Sequence, residues 1–78
     1  MHRRSTAPPD VLILLRKWRN DAKLTQRALG KRLRKPHTFV HKSEVGSRRI
    51  DPIEFIDWCK ACGVSPTAAI AGLARRVR

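Results

Sequence analysis

The sequence predicts an all-α domain, and three observations carry that prediction. No segment of its 78 residues alternates apolar and polar side chains as a half-buried strand would. Apolar residues recur instead at the three- and four-residue spacings that gather side chains on one side of a helix. Short polar residues or prolines stand ahead of each such segment: Asp10, Thr25, Pro36, Asp51-Pro52 and Ser65-Pro66. These are the residue types that cap or open helices.

The first helix is expected from the N-cap Asp10 to Asp21, with Val11, Leu15, Trp18 and Ala22 as its buried stripe and Leu12 and Leu14 flanking it. The second starts at Thr25, whose hydroxyl can accept from amides two or three residues on. It ends near Leu33, with Ala28, Leu29 and Leu33 inward. Arg34-Lys35 is a very short break. Pro36 suits a helix start, so the third helix is expected over Pro36 to Ser43, anchored by Phe39 and Val40. Gly46 closes this region, and "GSRRI" reads as a loop. Asp51-Pro52-x-Glu54 joins an N-cap, a first-turn proline and an acid three residues on, and so starts a fourth helix that runs to Cys62 and stops at Gly63. Ser65-Pro66 opens a fifth, to Ala74. Residues 1–9, "MHRRSTAPP", lack periodicity and read as a flexible basic arm. Residues 10–74 then form the domain, and 75–78, "RRVR", a basic tail expected to fray.

Charge narrows the function. Eighteen Lys and Arg against six Asp and Glu give a formal net charge of +12 and a pI near 11.6. Such a balance points to a polyanionic partner, nucleic acid before an anionic membrane surface. No apolar run approaches the roughly 20 residues of a membrane-spanning helix, and Val11–Leu15 is too short for a signal peptide. A soluble, cytoplasmic chain is expected. The charge is also divided. Arg16 to Arg49 holds twelve basic residues and two acids, Asp21 and Glu44, whereas Ile50 to Ala74 holds one base, Lys60, and three acids, Asp51, Glu54 and Asp57. One half of the domain is built to face anions.

Two helices joined by a tight turn inside the most basic region are the arrangement of a DNA-binding helix-turn-helix. The residues "LRKWR", "LTQ", Ala28-Leu29, Leu33, "FVHKSEVGSRRI" and "ACGVSP", taken together and at their spacing, resemble the lambda-repressor-like, or Cro/XRE, family of helix-turn-helix regulators over Leu15 to Ile70. The resemblance implies a compact five-helix domain that binds operator DNA as a dimer. It implies that Gln26 bonds a phosphate and braces the third helix, that His37, Thr38 and Lys42 face base edges, and that Arg19 and Glu44 form a buried or half-buried ion pair tying the first helix to the end of the third. This chain departs from the family pattern in three places. Arg34 stands where a turn glycine is frequent, which implies a left-handed backbone at some cost. His37 stands where glutamine is common, and Gly30 replaces a usual alanine where the second and third helices touch.

The chemistry of the residues agrees. Arg27, Lys31, Arg34, Lys35, Arg48 and Arg49 surround the helix pair and suit phosphate contacts, which position but do not specify. Lys42 can donate to guanine O6 and N7, and Thr38 can bond a base or touch a thymine methyl. Cys59-Lys60-Ala61-Cys62 has no second ligand pair for zinc and no βαβ context for thiol redox chemistry, so both cysteines read as core. Trp18 reads as core. Trp58 reads either as a cap on the core edge or as part of a dimer contact with Ile70 and Leu73. No catalytic constellation, metal site, cofactor or small-molecule ligand is expected. The reading is a sequence-specific regulator of transcription, a repressor that binds an inverted-repeat operator as a homodimer. The alternative is an antitoxin or antagonist that acts by binding a protein partner.

Overall fold

Cap chemistry sets where the chain turns helical. The computed structural model describes residues 9–76, which form five helices: α1 (Pro9–Asp21), α2 (Gln26–Leu33), α3 (His37–Val45), α4 (Pro52–Ala61) and α5 (Pro66–Arg76). Thr25 Oγ1 accepts from the Ala28 amide at 2.9 Å, and Ser65 Oγ from the Ala68 amide at 3.2 Å. At α4 the capping box is complete. Asp51 Oδ1 accepts from the Glu54 amide at 2.8 Å, and Glu54 Oε1 accepts from the Asp51 amide at 3.0 Å.

Helix ends follow backbone conformation. Gly46 and Gly63 take positive φ, as terminating glycines do. Two further positions do so without being glycine, Lys23 (φ 62°) between α1 and α2 and Arg34 (φ 59°) between α2 and α3. The Arg34 amide closes the end of α2 on the Gly30 and Lys31 carbonyls. Gly30 is required by a close approach: a Cβ there would lie 2.7 Å from the Lys35 carbonyl oxygen, and the Lys35 amide already bonds the Gly30 carbonyl at 2.9 Å.

The structure moves several expected boundaries. α3 runs past Ser43 to Val45, so Glu44 lies on the helix; α4 ends at Ala61, with Cys62 as its C-cap. α5 continues through Arg75 and Arg76, so the segment read as a fraying tail begins as helix. The arm residues His2, Arg3 and Arg4 lie outside the described residues, as do Val77 and Arg78.

Leu15, Leu29, Val40, Phe55, Trp58, Cys59 and Ala69, drawn from all five helices, form the core. Trp58 corrects the sequence reading. It is 0% exposed, and its indole Nε1 donates to the Leu15 carbonyl at 3.2 Å, so it cannot form a dimer contact. Trp18 packs edge-on against Phe55, with ring centroids 5.7 Å apart. Cys59 is buried and Cys62 half-buried, both as free thiols.

Candidate nucleic-acid interface

α3 divides cleanly into two sides. Val40, Ser43 and Glu44 are buried, while His37, Thr38, His41, Lys42 and Val45 are exposed. At about 100° per residue the five exposed positions cover an arc of about 140°, with Phe39 and Glu44 at its two borders. The expected base-facing residues His37, Thr38 and Lys42 therefore share one outward surface. His41 and Val45 share it too, although sequence reasoning did not place them there. The signal was the i, i+4, i+8 series His37, His41, Val45.

One border of that arc is held from α1 and α2. Arg19 donates to Glu44 through Nε to Oε2 at 2.5 Å and Nη2 to Oε1 at 3.1 Å, and its Nη1 donates to the Leu24 carbonyl at 2.9 Å. Gln26 Nε2 donates to Glu44 Oε1 at 3.2 Å, and Arg16 Nε stands 3.6 Å from the same oxygen. The Glu44 side chain has no exposed surface and that of Arg19 is 12% exposed. Glu44 is thus consumed within the protein, and Gln26 braces α3 through it.

The other border carries Phe39. Arg48 lies over its ring, Cζ to centroid 4.3 Å, and Lys35 Nζ approaches it at 5.3 Å. Arg48 Nη1 and Nη2 also donate to Glu54 Oε1 and Oε2 at 3.0 and 3.2 Å. The Arg48 hydrogen bonds hold the Glu54 carboxyl below its ordinary value. Arg48, expected at a phosphate, has its guanidinium engaged by Phe39 and Glu54, with its side chain 33% exposed.

The remaining expected phosphate residues, Arg27, Lys31, Arg34, Lys35 and Arg49, are exposed. Arg27, Lys31 and Arg34 follow one another at near-helical spacing along and just beyond α2. Arg34 and Lys35 lie in the turn, and Arg49 in the loop after α3. α3 itself opens after Pro36 without a side-chain cap; its Phe39 amide donates to the Pro36 carbonyl at 3.0 Å, so it is the His37 and Thr38 amides that face an outside acceptor.

Away from this surface, the expected dimer residues Ile70 and Leu73 line an apolar groove of about 350 Å³ with Val11, Ile50, Pro52, Phe55 and Ile56. Burial raises the Cys59 thiol to about 11 and also raises that of Cys62, which marks both as packing groups. Among the described residues no three His, Cys, Asp or Glu side chains are placed to hold a metal ion, and no helix is long and apolar enough to cross a membrane.

Comparison with known proteins agrees with this geometry. A family model described as a helix-turn-helix domain matches residues 11–77. The solved structure of an XRE-family like protein from Pseudomonas syringae pv. tomato str. DC3000 superposes with a TM-score of 0.84 at 38% sequence identity, covering 90% of this chain and 85% of that one. No curated protein matches the chain. With α2 and α3 joined by a tight turn, α3 offering a polar outward face and cations around both, the chain belongs to the helix-turn-helix domain family as a DNA-binding regulator of the Cro/XRE type.

Proposed function

We propose that the domain is a cytoplasmic repressor that binds an inverted-repeat operator as a homodimer. The observation that carries this reading is the outward face of α3, which is exposed, polar at His37, Thr38, His41 and Lys42, and fixed at both borders. In this reading Lys42 donates to guanine O6 and N7. Thr38 bonds a base or packs on a thymine methyl, and His37 donates or accepts at a base edge. His41 lies between them on the same arc. Arg27, Lys31, Arg34, Lys35 and Arg49 neutralise phosphates, and Gln26 adds a polar contact at the start of α2. Each neutralised phosphate releases counterions, so affinity falls steeply with salt.

One domain measures 35 × 26 × 20 Å. Two copies side by side fit half-sites about one helical turn, ~34 Å, apart. The apolar groove with Ile70, which is 51% exposed, and Leu73 is the surface that such pairing would cover. Repression needs only that the bound dimer exclude polymerase from the DNA it occupies.

The test is a footprint on the DNA upstream of the coding sequence, with sedimentation of the protein–DNA complex. A protected inverted repeat carrying two chains supports the proposal. Protection without sequence preference, or one chain per site, contradicts it.

A further inference from the structure

Resting on the DNA-binding reading above, we infer that Arg48 is a positioning residue for the recognition helix and not a phosphate ligand. Its guanidinium is committed on three sides. Its Cζ lies over the Phe39 ring on α3, 4.3 Å from the ring centroid. Its Nη1 lies 3.4 Å from Ser43 Oγ on the same helix. Its two terminal nitrogens form a bidentate pair with Glu54 at 3.0 and 3.2 Å. A planar fork is the group that can do all three at once, stacking on an aromatic face while matching a carboxylate edge-on.

The anchor at the far end is itself fixed. Glu54 is the N3 residue of the α4 capping box, and its Oε1 also accepts from the Asp51 amide at 3.0 Å. Arg48 therefore links α3 to the start of α4. The link meets α3 at the border opposite Glu44, where Arg19 and Gln26 hold it from α1 and α2. With Val40 in the core between them, the two attachments resist rotation of α3 about its own axis. Such a rotation would swing His37, Thr38 and Lys42 around the helix axis together. Neighbouring Arg49 is exposed and has no ion-pair partner among the described residues. The two adjacent arginines thus divide the work, one holding the helix and one left for phosphate.

The test compares Arg48→Met, Arg48→Lys and Glu54→Gln with wild type. Glutamine at N3 still closes a capping box, so Glu54→Gln weakens the Arg48 link while keeping the helix start. One readout is the affinity for the footprinted operator and for a random duplex across a salt series. The other is amide hydrogen exchange of the free protein, helix by helix. All three variants are expected to lower the operator-to-random ratio about tenfold or more. The salt slope of the two uncharged-partner tests, Arg48→Met and Glu54→Gln, should stay at the wild-type value. Exchange should speed up about tenfold in α3 while α1 and α5 keep their wild-type rates. Arg48→Lys should not rescue, because an ammonium keeps the charge and loses the fork. The inference is overturned if Arg48→Met lowers the salt slope by about 0.9, weakens both DNAs equally and leaves α3 exchange unchanged, with Arg48→Lys restoring binding. If wild type shows no preference among DNA sequences, the DNA-reading proposal fails separately. The exchange data then decide this one: selective loosening of α3 upholds the link, and unchanged or uniformly raised exchange refutes it.

Discussion

Glu44→Ala removes a buried acceptor that ties α3 to both α1 and α2. The carboxylate has no exposed surface and takes hydrogen bonds from Arg19 Nε and Nη2 and from Gln26 Nε2. Alanine would leave Arg19, whose side chain is 12% exposed, with the Leu24 carbonyl as its remaining acceptor. Removing one partner of a buried pair costs about 3–5 kcal/mol, because the other charge stays desolvated. Arg16, with a side chain 54% exposed and 3.6 Å away, adds little once solvent screening is counted. The edge of Arg19 that water still reaches argues for the lower end, about 3 kcal/mol. At roughly 0.05–0.15 kcal/mol per residue, a domain of this length has only about 4–12 kcal/mol in total. At about 4–8 °C per kcal/mol for a domain of this size, Glu44→Ala should lower Tm by about 12–24 °C. Thermal melts followed by far-UV circular dichroism measure this directly. Glu44→Gln, which keeps one oxygen acceptor and the side-chain volume, should fall between wild type and alanine. A drop of less than about 5 °C for Glu44→Ala would show that α3 is not held through this carboxylate.

Four further outcomes are expected. Arg34→Gly relieves a left-handed non-glycine residue at the end of α2 and should raise Tm by several degrees, on a gain of about 1 kcal/mol, while weakening DNA binding; a lower Tm would contradict the strain. Gly30→Ala sets a helix-propensity gain of about 1 kcal/mol against a Cβ 2.7 Å from a backbone oxygen that belongs to the α2–α3 turn; the clash should win, and a variant as stable as wild type in urea would show that the turn can shift freely. Because Arg48 depresses the folded-state value of Glu54, that carboxylate stabilises the fold above its unfolded value near 4.5, and the contribution is lost as pH falls through the depressed folded value; Glu54→Gln should flatten this acid limb in melts taken from neutral to acid pH, and an unchanged limb would count against the pair. With its thiol raised to about 11 and its side chain buried, Cys59 should react with a thiol reagent at mildly alkaline pH only after unfolding; rapid labelling in the folded state, located by mass spectrometry, would contradict its place in the core.

Most of the fold was legible because its punctuation is strong. Thr25, Asp51 with Glu54, and Ser65-Pro66 supply the starts, while Gly46 and Gly63 supply two of the ends. The left-handed turn at Arg34 and the tight approach at Gly30 were visible through resemblance to a family pattern, since composition alone says nothing of φ. Trp58 was legible but misread. Phe55, Trp58, Cys59 and Cys62 follow i, i+3, i+4, i+7 and share one buried side of α4, a spacing that places Trp58 squarely in the core. The extension of α3 to Val45 was hidden because Gly46 marks where a helix must stop, not how close to it the last turn runs. Arg48 shows a deeper limit. A loop arginine six residues before a glutamate carries no periodic signal. Its partner is fixed only when the capping box turns Glu54 back toward the loop and α3 brings Phe39 beneath the guanidinium. Charge composition could report that the face was basic. It could not sort the cations that hold the protein together from those left for a ligand.

The central claim is that α3 reads bases with its outward face while the surrounding cations hold phosphates. Titrations of Lys42→Ala and Arg49→Ala on operator and random duplexes, across a salt series, test it most directly. Lys42→Ala should lose roughly 1–3 kcal/mol on the operator and much less on random DNA, so that specificity collapses. Arg49→Ala should weaken both duplexes alike and make the salt slope shallower by about one unit. Equal weakening of both DNAs by Lys42→Ala, with site preference abolished by Arg49→Ala, would contradict the docking of α3. Unchanged binding by both variants would mean that the basic face serves a partner other than DNA.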